Sequence, residues 1–151
     1  MDAMTQIMRD ESKRYRLYND ITGQPLAPLP LEPNGRQPKR TVGYGRNVDD
    51  VPFSDDEIRL MLSNDYTRVQ HALGVYDWYI KLNEPRKASI ENMAFNMGLH
   101  GVLGFHQMIA AIVAEDWDTA AVQCDDPHWH TQVGDRATRV AQQLRSGEWG
   151  E

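Results

Sequence analysis

The amino-acid sequence predicts an α+β fold that is mostly α-helical, with a small N-terminal β-hairpin lobe, a larger helical lobe and a cleft between them. Prolines, glycines and strand-forming residues are concentrated between about 13 and 52, which predicts the hairpin lobe. Apolar residues recur with helical spacing from about 54 to 151, and also at 2–12. A chain of 151 residues can bury a real core, so we expect a single domain over 1–151.

The first predicted element is a helix over about 2–12. Its apolar stripe consists of Met4, Ile7 and Met8. Glu11 is the next position on that stripe, where a carboxylate faces the core or a cleft instead of open water. From the spacing alone, the simpler interpretation is a frayed helix end that reaches solvent, because isolated acids at helix ends are common. Asp20 follows on an exposed turn, and two acids with unlike surroundings are what general acid/base chemistry requires.

The β-hairpin lobe, about 13–52, begins with residues that are compatible with a strand, and Thr22-Gly23 predicts a turn after them. The stretch 24–40 then carries five prolines, which exclude both a helix and a central strand. It is therefore predicted to be an irregular, proline-rich insertion. A short strand with glycine punctuation is predicted directly after it, at 41–45.

The helical lobe is predicted to open with a capping box, because Ser54 and Glu57 have the spacing that satisfies a helix N-terminus. The segment from Asn83 to Pro85 marks the start of a helix that is apolar on nearly all sides. We predict that it is the buried central helix and that it ends at Gly98. The remaining predicted helices are 105–114, 117–123 and Asp135 to Gly147, and a linker holds the aromatic residues Tyr76, Trp78 and Tyr79.

The composition argues against several functional classes. A formal net charge of −6 without a basic stripe argues against nucleic acid as a partner. Cys124 is the only cysteine, which excludes an internal disulfide, and its neighbours Asp125 and Asp126 would raise a thiol pKa and so argue against a nucleophile. No apolar run approaches a membrane span and the N-terminus lacks a signal-peptide pattern. We therefore expect no integral membrane segment and synthesis in the cytoplasm.

The histidines suggest a different kind of site, one that binds a metal ion. His128 and His130, with His100 and His106 elsewhere, suggest a metal, but the spacing lacks a third ligand or a carboxylate in a recognised pattern. We interpret the segment as a polar loop around a packed Trp129, and we expect no metal and no other cofactor.

Seven short segments occur in the same order as in the phage-type lysozymes of the T-even endolysin group, glycoside hydrolase family 24, which this sequence resembles. They are Arg9-Asp10-Glu11, Tyr18-Asn19-Asp20, 41–45, 86–98, 101–105, 117–122 and 135–140. Each segment is a weak signal alone, and the specificity comes from their shared order over most of the chain. The resemblance implies a lysozyme-like fold.

The resemblance also implies a peptidoglycan hydrolase, a lysozyme (muramidase) that cleaves the β-1,4 bond between N-acetylmuramic acid and N-acetylglucosamine. Glu11 matches the catalytic glutamate, Asp20 the catalytic aspartate and Thr41 the threonine that helps to hold the attacking water. In the family this threonine follows the aspartate after a short turn, whereas here the insertion 24–40 lies between them, and Thr22 is a nearby alternative. Partial desolvation would keep Glu11 protonated as the acid, while a better solvated Asp20 stays ionised.

Further positions match residues around the family's site. The matches to cleft-lining residues are Phe95, Gly104, Phe105 and, as a different amide from the family's, Gln123. Arg136 matches an arginine that pairs with the catalytic glutamate, and Arg46 stands where the family usually has a histidine.

The resemblance implies bacterial peptidoglycan as the partner, no cofactor and a monomeric enzyme. It also implies release from the host cytoplasm to the periplasm through a separate holin, as in systems that lyse the host cell. Two alternatives stay open. One is a non-catalytic module on a lysozyme scaffold, either cell-wall-binding or structural in a virion, and the other is a lytic transglycosylase.

Overall fold

The computed structural model describes residues 2–10, 16–17, 26, 33–35, 39–42, 44 and 46–150. Over these residues the chain is mostly helical with one small antiparallel sheet, which confirms the predicted α+β class. The strands are β1 (Thr41–Val42) and β2 (Arg46–Asn47). The helices are α1 (Ala3–Asp10), α2 (Asp55–Leu73), α3 (Asp77–Ile80), α4 (Glu84–Leu103), α5 (His106–Val113), α6 (Trp117–Cys124), α7 (Pro127–Val133) and α8 (Asp135–Ser146).

The chain divides into two compact units. One contains Met1–Glu11 and Leu62–Glu151, and the other is Ser12–Met61. We call them the helical unit and the hairpin unit. The single domain expected over 1–151 stays a prediction.

Within the hairpin unit, β1 and β2 pair with Thr41 opposite Asn47. Arg40 reinforces this pairing, because its Nε and backbone N–H donate to the carboxylate of Asp49 at 2.7 Å each. The hydrogen bonds from Arg40 hold the pKa of Asp49 below its usual value. Val48 is buried beside these residues. Most of the predicted insertion 24–40 and the first predicted strand lie outside the described residues.

The predicted capping box is confirmed at the start of α2. The backbone N–H of Ser54 donates to Glu57 Oε2 at 2.7 Å, and the N–H of Glu57 donates to Ser54 Oγ at 3.3 Å. Arg46, the position that departs from the lysozyme pattern, pairs with the carboxylate of Glu57 and donates to Pro52 O at 2.6 Å. Arg46 therefore ties β2 to the beginning of α2.

The core of the helical unit is built around α4, as predicted. Residues 88–94 of this helix are all buried, and α8 packs against it while α5 and α6 pack against each other. Asn83 caps α4 by accepting a hydrogen bond from the backbone N–H of Arg86 at 3.2 Å. The largest fully buried side chains of the core include Leu73, Ile90, Met93, Met108, Trp129 and Leu144.

The helix end predicted at Gly98 is a break within α4, after which the helix resumes. The φ of 77° and ψ of 163° at Gly98 are not helical, and helical residues resume and continue to Leu103. Glycine adopts this positive φ without the steric cost that a Cβ would add, so the chain can kink and re-enter the helix.

Two short helices occupy segments for which the sequence predicted none. The predicted aromatic linker contains α3, and the predicted polar loop is α7. Asp126 begins α7, because its carboxylate accepts hydrogen bonds from the N–H groups of His128 at 2.9 Å and Trp129 at 3.2 Å. Pro127 takes the first helical position, which needs no N–H donor. Trp129 is packed as predicted, with 2% of its surface exposed.

A buried carboxylate joins α2, α3 and α4. Glu91 is 2% exposed, and it accepts hydrogen bonds from Tyr66 Oη at 2.7 Å, Tyr79 Oη at 2.6 Å and Gln70 Nε2 at 3.1 Å. Burial, followed by the hydrogen bond to Glu91, raises the pKa of both tyrosines. The carboxylate of Glu91 thus links α2, α3 and α4 through three hydrogen bonds.

The C-terminus of α8 is held by α4. The guanidinium of Arg86 lies 3.7 Å from the centroid of the Trp117 ring and donates to Leu144 O at 2.9 Å and Arg145 O at 3.1 Å. Gly147 ends α8 in the left-handed conformation, with a φ of 69°. The sequence predicted this end correctly.

Replacing Gly147 by alanine is expected to lower the free energy of unfolding by about 1–2 kcal/mol. The new Cβ would lie 2.7 Å from Arg86 Cζ, and the positive φ is strained for any residue with a Cβ. Urea denaturation measures the effect. Gly150→Ala is the matched control, because the nearest atom to its Cβ is at 3.7 Å and the change should stay within about 0.5 kcal/mol. Equal effects of the two substitutions would contradict this account of the helix end.

Candidate functional site

The two predicted catalytic acids, Glu11 and Asp20, lie outside the described residues, as does the alternative Thr22. Thr41 is described and opens β1 in the hairpin unit, where it is exposed and its Oγ1 donates to Lys39 O at 3.3 Å. The roles of these residues therefore stay predictions.

Arg136 lies on α8 and is 6% exposed. Its Nε donates to Asn92 Oδ1 at 2.8 Å, and Asn92 is itself 1% exposed on α4. This hydrogen bond joins α8 to α4 and fixes the direction of the guanidinium. Asn92 was not among the predicted site residues, although it stands in the segment 86–98 that resembles lysozymes. The sequence signal for Asn92 was its polar side chain among the apolar residues of the predicted central helix.

Three of the predicted substrate residues meet in one cavity of about 660 Å³ in the helical unit. Gly104 and Phe105 come from the turn between α4 and α5, and Gln123 comes from α6. The rest of the lining is Met97, Gly101, His106, Gln107, Met108, Asp126, His128, Trp129 and Gln132. We call this space the α5–α7 cavity. A lining that combines apolar and aromatic side chains with a few amide and charged groups is the usual make-up of a small-molecule site.

Aromatic contacts shape one wall of the α5–α7 cavity. The rings of Phe105 and Trp129 meet edge to face, with centroids 6.5 Å apart. Trp129 Nε1 donates to Asn96 Oδ1 at 3.1 Å, which leaves the indole fixed in position. Sequence reasoning missed Trp129 as part of the site because it assigned the segment to a loop, although its Asp-Pro start is a helix signal.

Phe95 does not share this cavity. It is half-buried and lines a second cavity of about 390 Å³ between α2 and α4, with Val69, Ala94 and Leu99 among its neighbours. Among the described residues, Phe95 therefore lines a different cavity from the one that Gly104, Phe105 and Gln123 share.

His130 and Asp125 form an ion pair near the α5–α7 cavity. His130 Nδ1 lies 2.7 Å from Asp125 Oδ1, and Asp125 Oδ2 accepts from Thr138 Oγ1 at 3.2 Å.

Over the part of the chain that the structure describes, no group of three or more His, Cys, Asp or Glu residues is placed to hold a metal ion. Cys124 is buried, and burial, assisted by the charge of Asp125, raises the pKa of its thiol. The sequence also predicted a raised pKa for this thiol.

No protein-family model matches this chain. The pre-baseplate central spike protein Gp5 of Enterobacteria phage T4 is 28% identical over 166 residues, which cover 97% of this chain and 28% of the spike protein. Two probable T4-type lysozymes of Dictyostelium discoideum are 33% and 32% identical over 69 residues, which cover 46% of this chain and 41% of each lysozyme.

The chain is similar to T4-type lysozymes at low identity. It spans less than half the length of each of these relatives. The similarity agrees with the lysozyme-like resemblance of the seven segments. Among the described residues, no helix has the length and apolar character needed to cross a membrane.

Proposed function

We propose that this chain is a peptidoglycan hydrolase, a muramidase that cleaves the β-1,4 bond between N-acetylmuramic acid and N-acetylglucosamine. The observation that carries the proposal is the α5–α7 cavity, because it brings together Gly104, Phe105 and Gln123, which were selected from sequence alone. The similarity to T4-type lysozymes supports the same activity.

In the proposed mechanism, Glu11 donates a proton to the leaving glycosidic oxygen as the bond breaks. Asp20 stays ionised, and with Thr41, or with Thr22, it positions the water that attacks the oxocarbenium-like centre. Asn92 acts as a positioning residue, because it holds the guanidinium of Arg136 through Nε. The reaction uses no cofactor, and the monomeric enzyme acts on the periplasmic cell wall after holin-dependent release from the host cytoplasm.

The test uses bacterial cells with a permeabilised outer membrane and mass spectrometry of the soluble products. We expect clearing of the suspension and fragments with reducing ends. Fragments that carry a 1,6-anhydro sugar would identify a lytic transglycosylase instead. A folded sample that releases no fragments would overturn the proposal.

A second candidate is a non-catalytic wall-binding or structural part of a virion. It is favoured by the match to the phage spike protein, which extends over 97% of this chain. A sample that binds chitooligosaccharides and never cleaves the wall would support this candidate over the hydrolase.

A further inference from the structure

A buried pair of amides joins α1 to α8. Gln6 of α1 is 5% exposed, and Gln143 of α8 is 3% exposed. Gln143 Nε2 donates to Gln6 Oε1 at 3.1 Å, and Gln6 Nε2 donates in return to Gln143 Oε1. The two side chains therefore bind each other through both ends of their carboxamides, although 137 residues separate them in the sequence.

Gln143 uses its full hydrogen-bonding capacity in this interface. Its Nε2 also donates to Pro85 O at 2.9 Å, and its Oε1 also accepts from the backbone N–H of Gly150 at 3.2 Å. A carboxamide has two N–H donors and an oxygen with two lone pairs, so all of its positions are engaged. The start of α4 and the segment after α8 thus hold Gln143 in one orientation, and Gln6 binds to an amide that is already fixed.

The position of α1 depends on the surface against which it packs. A helix of eight residues is unstable in water by itself, and α1 packs against α4. Ala3, Gln6 and Ile7 form its buried face, at the spacing that places residues on one side of a helix. The apolar contacts of Ala3 and Ile7 hold α1 to the core without a preferred direction. The amide of Gln6 adds the direction, because its hydrogen bonds to Gln143 form in one register only.

The Gln6–Gln143 pair lies beside residues that the proposed mechanism uses. Arg136 and Gln143 are both buried on α8 and are seven residues apart, which places them on the same side of the helix. Asn92 of α4 accepts from Arg136 at 2.8 Å. Asn92 also lines a cavity of about 270 Å³ together with Gln6 and Gln143. The amide pair and the bond between Asn92 and Arg136 therefore belong to one polar interface of α1, α4 and α8.

We propose that Gln6 and Gln143 are positioning residues for the general acid, because their pairing sets the register of α1 on α8. The inference rests on the proposed function, which assigns the acid to Glu11. α1 ends at Asp10, and Glu11 is the next residue of the chain. Arg136, the predicted partner of Glu11, belongs to the same helix as Gln143. A pair that locks α1 to α8 therefore fixes the point at which the chain leaves α1 toward the acid, relative to that arginine.

The main test replaces both glutamines by methionine. Gln6→Met/Gln143→Met keeps unbranched side chains of similar length and removes both members of the pair together, so most of the stability should remain while the directed bonds are lost. A reacting group that is displaced by about 1 Å loses about a hundredfold in rate, and for a smaller shift we expect kcat to fall about tenfold. KM should stay within about twofold, because Gly104, Phe105 and Gln123 line a different cavity. Both constants are measured on soluble peptidoglycan strands without cross-links, well below the melting temperature.

A single variant separates position from stability. Gln143→Ala leaves the amide of Gln6, the carbonyl of Pro85 and the N–H of Gly150 without their partner, so the melting temperature should fall by about 4–8 °C. The double methionine variant should regain more than half of that loss, since it leaves no amide of the pair stranded. Its kcat should nevertheless stay low.

Ser89→Ala is the matched control. Ser89 is buried on α4, and its Oγ donates to Val140 O at 3.2 Å, so it joins α4 to α8 by a hydrogen bond that does not involve α1. Its loss should lower the melting temperature by about 2–4 °C and leave kcat within about twofold.

Hydrogen exchange gives a second readout that does not depend on activity. In the double methionine variant, the backbone amides of α1 should exchange about tenfold faster than in the unmodified protein, because local opening of this helix becomes easier. The amides of residues 88–94 in α4 should exchange at unchanged rates. Ser89→Ala should leave the exchange of α1 as it is in the unmodified protein.

A double methionine variant that keeps the kcat of the unmodified protein would overturn this inference. So would a kcat that recovers in step with the melting temperature, or α1 amides whose exchange does not change. If Glu11→Gln abolishes hydrolysis while the double methionine variant keeps the full rate, the proposed function stands and only the inference fails. An unmodified, folded protein that cleaves no wall would overturn both.

Discussion

Replacing Glu11 by glutamine is expected to lower the rate of wall hydrolysis by at least about a hundredfold, and by up to about ten thousandfold. Glutamine has nearly the same size as glutamate, but its amide cannot donate a proton to the leaving oxygen as a carboxylic acid does. The rate is measured as the release of soluble fragments from permeabilised cells. A urea denaturation midpoint close to that of the unmodified protein shows that the loss is one of chemistry.

Glu84→Gln is the matched control, since it makes the same change at the exposed first position of α4. It should leave the rate within about twofold, as for most exposed substitutions outside a site. If Glu11→Gln kept activity at the control's level, the acid would be another residue. The proposed assignment of Glu11, and of Asp20 as its partner, would then be wrong.

The elements that the sequence predicts well are those that depend on local chemistry. The capping box at Ser54 and Glu57, the start of α4 at Asn83 and the end of α8 at Gly147 all rest on hydrogen bonds within a few residues. Their sequence signals are therefore complete without any knowledge of the rest of the chain.

α7 was missed for the opposite reason. Its seven residues are too short for apolar periodicity to show, and its polar side chains resemble a loop. The cap at Asp126 with Pro127 was present in the sequence, but a start signal alone does not predict a helix when no apolar stripe follows it. The aromatic segment that forms α3 was missed in the same way.

The candidate site was predictable only in part. The resemblance to lysozymes predicted Gly104, Phe105 and Gln123 as substrate residues, and all three line one cavity in the structure. The apolar periodicity of the helices does not predict which helix ends lie next to each other. His106 and His128 were considered only as metal ligands. Their shared place in the lining depends on how α5 and α7 pack, which is a long-range property.

Glu91 shows the same limit in the core. The sequence predicts that α4 is apolar on nearly all sides, and the one acid within its buried stretch 88–94 has no local partner that would explain its burial. Its donors, Tyr66 and Tyr79, come from other helices. A buried carboxylate requires such partners, but the sequence does not show which residues supply them.

Replacing Glu91 by alanine is therefore expected to lower the free energy of unfolding by about 3–5 kcal/mol. The substitution removes the acceptor of three hydrogen bonds, from Tyr66, Tyr79 and Gln70, and leaves a space where the side chain was. Because domains of this size are stable by only about 5–15 kcal/mol, the variant should unfold at a much lower urea concentration.

The cost should arise from stranded donors and not from the loss of a charge as such. Glu91→Gln keeps the shape and an acceptor oxygen, so we expect a smaller loss of about 1–2 kcal/mol. Glu91→Leu combined with Tyr66→Phe and Tyr79→Phe removes the carboxylate and two of its donors together, and should recover most of the stability that Glu91→Ala loses. If the triple variant were as unstable as Glu91→Ala, packing around the side chain would be the cause. The hydrogen-bonded charge would then not be what holds α2, α3 and α4 together.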